Sequence, residues 1–250
     1  REERKLSVED LTEGVSDFPS GTVVNFRVAS GDLEIGYVGR KIRANASNYG
    51  NAWHLEQVFP IDGLGAKAMA DINRRLHDAT ATMSRRKYLK QGDYIPNFAM
   101  IDEDGEILQI RQMQDKAFVL NFIFTRCAVP KMCPASSTRM ELLQEKARAE
   151  CIENLHFVTI SFDPAFDSPG ILRTYAQGYG MELENFHLLT GTQELVDDLL
   201  RQFGILTIEE DGTINHTMAT FLIDAKGRIA YRKEGSSWTV NEFMKAAGKL

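Results

Sequence analysis

The sequence predicts an α/β fold, with a central mixed sheet flanked by helices and preceded by a small β-rich unit. Three observations carry this reading. After Gly92 strand-like and helix-like segments alternate along the chain, the signature of a sheet layered with helices. Residues 118–124 are nearly continuous in apolar character, as a central strand covered on both faces requires. Residues 1 to about 60 instead hold short alternating runs separated by glycines. The expected organisation is a β-rich unit over residues 1–62, a helical connector over 63–91 and the α/β domain over 92–250.

In the first unit, residues 22–28 alternate apolar and polar, and 33–42 and 52–59 are short candidate strands of a small open barrel or sheet. Gly31-Asp32 and Asn48-Tyr49-Gly50-Asn51 supply the turn signals. Between residues 65 and 88, Ala68, Ile72, Leu76, Ala79 and Met83 recur at spacings of three and four, while Arg74, Arg75, Asp78 and Arg86 lie elsewhere on the circumference. That is an amphipathic helix.

In the α/β domain, residues 97–101 and 107–110 form a hairpin around Asp102-Glu103-Asp104-Gly105. The central strand at 118–124 leads into a loop carrying two cysteines. Pro134 then occupies a first-turn position of a helix continued by Met140, Leu143 and Ala147. Residues 156–162 form the next buried strand. Ile171, Leu172, Tyr175, Ala176 and Tyr179 mark one further helix, and Leu195, Val196, Leu199, Leu200 and Phe203 another. A hairpin pairs 218–223 with 228–232 across Ala225-Lys226-Gly227, and Val240, Phe243, Met244 and Ala247 give a closing helix. There is no internal repeat and no low-complexity segment.

Composition narrows the function. The chain of 250 residues is long enough for one ordinary domain and a smaller companion. Its net charge of −6 argues against a nucleic-acid binder, which usually concentrates positive charge. The longest apolar run, 117–124, is interrupted by Asn121 and is too short to cross a bilayer. The sequence opens Arg1-Glu2-Glu3-Arg4-Lys5 with no initiator Met, so a signal peptide or membrane anchor upstream is expected. Three cysteines are not a disulfide framework. Cys151 is read as an inert packing residue, because free Cys behaves as a small buried hydrophobe.

The chemistry gathers at Phe124-Thr125-Arg126-Cys127-Ala128-Val129-Pro130-Lys131-Met132-Cys133-Pro134, between a core strand and a helix N-terminus. The free N–H groups there favour thiolate over thiol at Cys133, with Arg126 and Lys131 adding positive charge. Such a pair cycles between dithiol and disulfide in an oxidising compartment, and binds metal or does redox work in cytosol. A second element is His216, in Asn215-His216-Thr217-Met218 before an apolar strand. His54, His77, His156 and His187 read as surface or core residues. Two thiolates and an imidazole suit Cu(I) and also accept Cu(II), and a fourth donor or water opens the site to zinc.

These segments resemble the Sco/SenC copper-binding proteins, which help assemble the copper centre of cytochrome c oxidase. The resemblance covers roughly residues 92–250. It rests on Phe124-Thr125-Arg126-Cys127, Cys133-Pro134, Ile160-Ser161-Phe162-Asp163-Pro164, Ser168-Pro169, and His216 ahead of Phe221-Leu222-Ile223-Asp224. It implies a thioredoxin-like, extracytoplasmic domain, commonly anchored at its N-terminus, that holds copper on Cys127, Cys133 and His216. Asp163 is then an acceptor near the site that orients a ligand. In thioredoxin-like oxidoreductases a cis-proline faces the cysteines; the corresponding residue here is Met218. The family usually has three residues between its cysteines and this chain has five, a gap that still lets the sulfurs meet around one ion or form a disulfide. Met132 lies within the gap as an additional thioether donor or a packing residue.

The leading expectation is a copper chaperone or metallation factor serving a copper-accepting oxidase subunit or another copper-handling protein. The alternative is an extracytoplasmic thiol-disulfide oxidoreductase in which Cys127 and Cys133 act on protein substrates. Peroxide reduction is supported only by Thr125 two residues before Cys127, and an idle site would leave the β-rich unit as the working surface.

Overall fold

The computed structural model describes residues 24–50, 52–61, 65–84, 87–152, 154–210 and 213–250. The first expected strand, residues 22–28, therefore falls partly outside them; its described part is β1 (Phe26–Arg27). It pairs in parallel with β3 (Trp53–Pro60), which pairs antiparallel with β2 (Ile42–Asn48), giving a three-stranded sheet. The Asn48–Asn51 turn signal is met by Gly50 at φ +73° and a Tyr49 N–H···O=C Ala52 bond of 3.1 Å.

The expected strand over 33–42 and the turn at Gly31-Asp32 are corrected. Ser30–Ile35 is a short helix, α1, closed by Gly36 in the left-handed region. Tertiary packing overrides the local preference here, since α1 lies on the helix Pro169–Tyr179 with Gly31 at the crossing. Asp32 is buried beside the Tyr37 hydroxyl, and burial pushes its carboxyl up to about 6.

The connector helix is α2 (Ala66–Ala81), shorter than the 65–88 read from periodicity. It is pinned by Asn73, whose side-chain amide exchanges hydrogen bonds of 2.8 and 3.0 Å with the Ala99 main chain. Ala99 opens β4 (Ala99–Ile101), which forms the expected hairpin with β5 (Ile107–Gln109).

The main sheet has five strands. In chain order they are β6 (Ala117–Ile123), β7 (Leu155–Ser161), β8 (Phe186–Leu189), β11 (Ala219–Ile223) and β12 (Ile229–Glu234). Their spatial order is β12-β11-β6-β7-β8, with β6, β7 and β8 parallel, β11 antiparallel to β6, and β12 antiparallel to β11. The expected mixed sheet is thus present. The short strand β8 was not anticipated, nor was the hairpin of β9 (Thr207–Glu210) and β10 (Thr213–His216). The sequence Asp211-Gly212 between alternating runs is nevertheless the hairpin signal.

The alternation of β6 sorts the helices into two layers. Phe118, Leu120 and Phe122 face a core completed by α5 (Gln193–Phe203), Phe98 and Met100. Val119 faces the other core, completed by α3 (Cys133–Ala149), α4 (Pro169–Tyr179) and α6 (Val240–Ala247) with Trp238. Asn121, on the α3 side, is the polar exception inside this strand. Its Nδ2 donates to Ser136 Oγ at 3.0 Å and its Oδ1 accepts from Thr159 Oγ1 at 2.6 Å, tying the first turn of α3 to β6 and β7.

Replacing Asn121 with Leu leaves the Ser136 and Thr159 hydroxyls buried without that partner. The expected cost is about 1–3 kcal/mol, read as a lower urea midpoint with an unchanged denaturant slope.

Candidate metal centre

At the C-terminal end of β6 the chain leaves the sheet through Phe124 and makes two tight turns. Cys127 N–H donates to Phe124 O at 3.3 Å and Met132 N–H to Val129 O at 3.0 Å. These turns fold Cys127 inward while Ala128, Val129 and Pro130 stay exposed. Helix α3 begins at Cys133 with no side-chain cap, and Pro134 sits in its first turn, where a missing N–H costs nothing. His216 ends β10. The base of its hairpin is stitched to the chain leaving α5 by Thr217 N–H to Leu206 O and Leu206 N–H to Thr217 Oγ1, both 2.9 Å.

The two sulfurs and an imidazole nitrogen converge: the donor atoms of Cys127, Cys133 and His216 all lie within 4.8 Å of one another. Cys133 Sγ and His216 Nε2 are 3.4 Å apart. His216 Nδ1 lies 3.0 Å from Thr217 O. A carbonyl only accepts, so Nδ1 carries the proton and the Nε2 lone pair faces the sulfurs. Phe162 and Phe124 wall the ring, with centroids 4.6 and 5.9 Å away. Burial lowers the His216 pKa from its ordinary value, favouring the neutral, ligand-competent imidazole.

The expectation that the α3 N-terminus makes Cys133 a thiolate is corrected. Burial pushes this thiol strongly up, outweighing the Phe124 backbone hydrogen bond, and the adjacent Cys127 adds to the rise. Arg126 is directed elsewhere: its Nε and Nη2 donate to Asp163 Oδ2 at 3.0 and 2.6 Å, and its guanidinium lies 4.6 Å over the Phe166 ring. Lys131 is exposed. The protein surroundings thus offer Cys133 more apolar wall than positive charge.

Asp163 is buried and holds Arg126, the residue before Cys127. Sequence reading missed its neighbour Asp167. This carboxylate is fully buried, accepts the Thr125 N–H at 3.1 Å, and also bonds the Thr125 and Ser161 hydroxyls. Burial raises Asp167 to about 6. The available signal was its place between two segments already singled out, Ser161-Phe162-Asp163-Pro164 and Ser168-Pro169. Met132 is half-buried against the site-side core, and Met218 O accepts from Gly235 N at 2.7 Å, with no cis peptide among the described residues.

Cys151 is a second correction, since it is exposed rather than packed. It takes φ +56° just past the end of α3, and Ile152 turns back, N–H to Ala147 O at 2.9 Å, to fill the apolar position instead. The other histidines lie outside the donor cluster: His77 pairs on the surface with Asp198 at 2.9 Å, and His54 packs edge-on to Tyr49.

Two measurements follow from this geometry. Iodoacetamide at neutral pH is expected to label exposed Cys151 first and buried Cys133 last in peptide mapping of the reduced protein. Asp167 is protonated more readily when folded, about 6 against an ordinary 3.8. Its contribution to stability is therefore greatest at acid pH and falls as pH rises from about 4 to about 6. In urea titrations across that window stability should fall less steeply with rising pH in Asp167→Asn than in the wild-type protein.

Comparison with known proteins covers the part of the chain that carries this site. The SCO1/SenC family profile matches residues 86–245. The SCO1 protein homolog of Bacillus subtilis is 26% identical over 136 residues, covering 53% of this chain and 69% of the relative. A SCO1/SenC family lipoprotein from Bacillus anthracis superposes with a TM-score of 0.59 at 27% identity, covering 67% of this chain and 99% of that one. BsSco, described as a member of the Sco family of cytochrome c oxidase assembly proteins with a disulfide switch, gives 0.56 at 24%, covering 66% and 99%. Copper-bound ScoI of Arabidopsis thaliana shares the fold, with a TM-score of 0.55 at 19% identity over 64% and 100%. The five-stranded domain is therefore the thioredoxin-like fold of these proteins. With the family match spanning residues 86–245, and both cysteines and the histidine inside it, the chain belongs to the SCO1/SenC family.

Proposed function

We propose that this protein binds copper on Cys127, Cys133 and His216 and serves as a metallation factor, delivering copper to, or maintaining, the copper site of a respiratory cytochrome c oxidase. The observation that carries the reading is the convergence of two buried sulfurs and a neutral imidazole nitrogen within 4.8 Å. Two thiolates and one imidazole form a soft, low-coordinate donor set that suits Cu(I). Carboxylates do not enter it, because Asp163 and Asp167 are occupied by Arg126 and Thr125.

The residues of the chain have separable roles in this reading. The Thr217 carbonyl fixes the imidazole tautomer, Phe124 and Phe162 exclude water from one side, and the two sulfurs hold the cargo ion. At Cys133 the ion takes the place of a thiol proton, which burial retains in its absence. Binding thus releases that proton, and transfer to a partner returns it.

Extracytoplasmic placement, with an anchor outside the described residues, belongs to the same proposal. It draws support from the Bacillus anthracis relative, which is called a lipoprotein. Among the described residues no helix is long and apolar enough to cross a membrane. The thiol-disulfide reading is kept as second because Cys127 and Cys133 are both free and adjacent, and because a disulfide switch is described for BsSco.

Titrating Cu(I) into the reduced protein against a competing chelator tests the assignment. One equivalent should bind, Cys127→Ser and Cys133→Ser should abolish binding, and His216→Ala should weaken it by at least about tenfold, or 1.4 kcal/mol. Failure of the reduced protein to bind, or full affinity in His216→Ala, overturns the copper reading. Reduction of protein disulfides that needs both cysteines but not His216 would favour the second.

A further inference from the structure

The elements ahead of residue 86 lie outside the family match, yet they reach the segment that holds the cysteine loop. We propose that β1–α1–β2–β3 is a positioning element for Cys127, acting through the 163–170 segment between β7 and α4.

The argument follows one continuous set of contacts. Gln57, at φ +52° on β3, donates its side-chain amide to the Ala165 carbonyl. The other end of that amide is held from β2, where Asn45 Nδ2 donates to Gln57 Oε1 at 2.6 Å. Five residues further along the same segment, α1 crosses α4 at two glycines. A Cβ on Gly31 would overlap the Gly170 carbonyl, and a Cβ on Gly170 would overlap Asp32. The crossing is secured by Gly31 N–H to Thr174 Oγ1 at 3.0 Å, Arg173 Nε to Glu34 at 3.0 Å and Gln177 Nε2 to Glu34 at 2.6 Å.

Ala165 sits midway between the two carboxylates that hold the cysteine loop. Asp163 takes Arg126, Asp167 takes Thr125, and Phe166 lies beneath the Arg126 guanidinium. One side of the 163–170 segment is therefore seated by the N-terminal elements, and the other side fixes the two residues before Cys127. A loop anchored on both sides keeps fewer conformations, and a ligand held in one conformation binds without first being ordered. The N-terminal elements limit how far Cys127 strays from Cys133 and His216.

The test uses the full chain in a Cys151→Ser background, so that only the site thiols react. Gln57→Ala removes the Ala165 contact together with the Asn45 bond behind it, and Gly31→Val forces α1 from α4. With Trp53 on β3 replaced by Phe in every protein compared, buried Trp238 is the remaining tryptophan and reports whether the main domain stays folded. In the metal-free reduced protein both variants should speed alkylation of Cys127 several-fold, with the Trp238 urea midpoint unchanged in Gln57→Ala. Cu(I) affinity should fall by about tenfold, the scale seen when groups that orient ligands are lost.

The affinity arm rests on the copper reading above, and the alkylation arm does not. A wild-type protein that fails to bind Cu(I) removes that reading and leaves alkylation to decide this one. If Gly31→Val lowers the Trp238 midpoint, Gln57→Ala decides alone. Wild-type alkylation rates in Gln57→Ala overturn the proposal.

Discussion

Parallel pairing of β6 with β7 is the constraint on which the site depends. Parallel strands end on the same edge of a sheet, so the loops that follow them emerge side by side. Ile123 pairs with Ser161, and Phe162 N–H still donates to Ile123 O at 3.0 Å. The Cys127 loop and the Asp163–Asp167 segment therefore begin in contact, before any side chain has made a choice. The register sets Asp167 beside Thr125 and Asp163 beside Arg126. Antiparallel β11 approaches β6 from the other side, and the chain entering it carries His216 to the same edge. Strand order thus brings His216, distant in sequence, to the edge where the cysteine pair lies.

What the cluster does chemically is set by its walls. A helix N-terminus in water would stabilise a thiolate at Cys133, by roughly 0.3–1 kcal/mol for an exposed group. Removing an ionised group from water costs more than that unless a counter-charge comes with it. Here the nearest guanidinium is spent on Asp163 and the ring nitrogen is neutral, so desolvation prevails. The same arrangement that keeps the Cys133 thiol protonated makes a soft cation the natural counter-charge. A reactive thiolate poised for attack needs the opposite surroundings, positive and partly exposed. That contrast favours holding a metal over rapid disulfide exchange in the metal-free dithiol form.

Much of this was readable from residues alone, for stated physical reasons. Nearly continuous apolar runs located β6 and β7, which are covered on both faces, and the 3.6 period located α3, α4, α5 and α6, each of which buries one face. Cys127, Cys133 and His216 were legible because the residue types are chemically rare in such positions. Three features were not. Helix α1 hides behind β-like residues, since its stability comes from α4 and a glycine crossing. Strand β8 is four residues long and has no alternation to detect. Asp167 looks like any turn acid until the register of β6 on β7 puts Thr125 against it. Cys151 failed for a complementary reason: hydrophobic character argued for burial, but the left-handed main chain past α3 gives the apolar site to Ile152.

The five-residue gap between the cysteines illustrates how local length is absorbed. The 3.0 Å turn from Met132 to Val129 closes the second half of the loop on itself. It leaves Val129 exposed on the rim, returns Met132 to half-burial and delivers Cys133 to the start of α3. Cys127 is held independently, from the β6 side, by the Phe124 turn and the acids gripping Thr125 and Arg126. Because both sulfurs are fixed outside the extra turn, their separation follows from the sheet and α3 rather than from loop length. The extra length is therefore taken up in an exposed rim of Ala128, Val129, Pro130 and Lys131, while the donor set beneath stays closed.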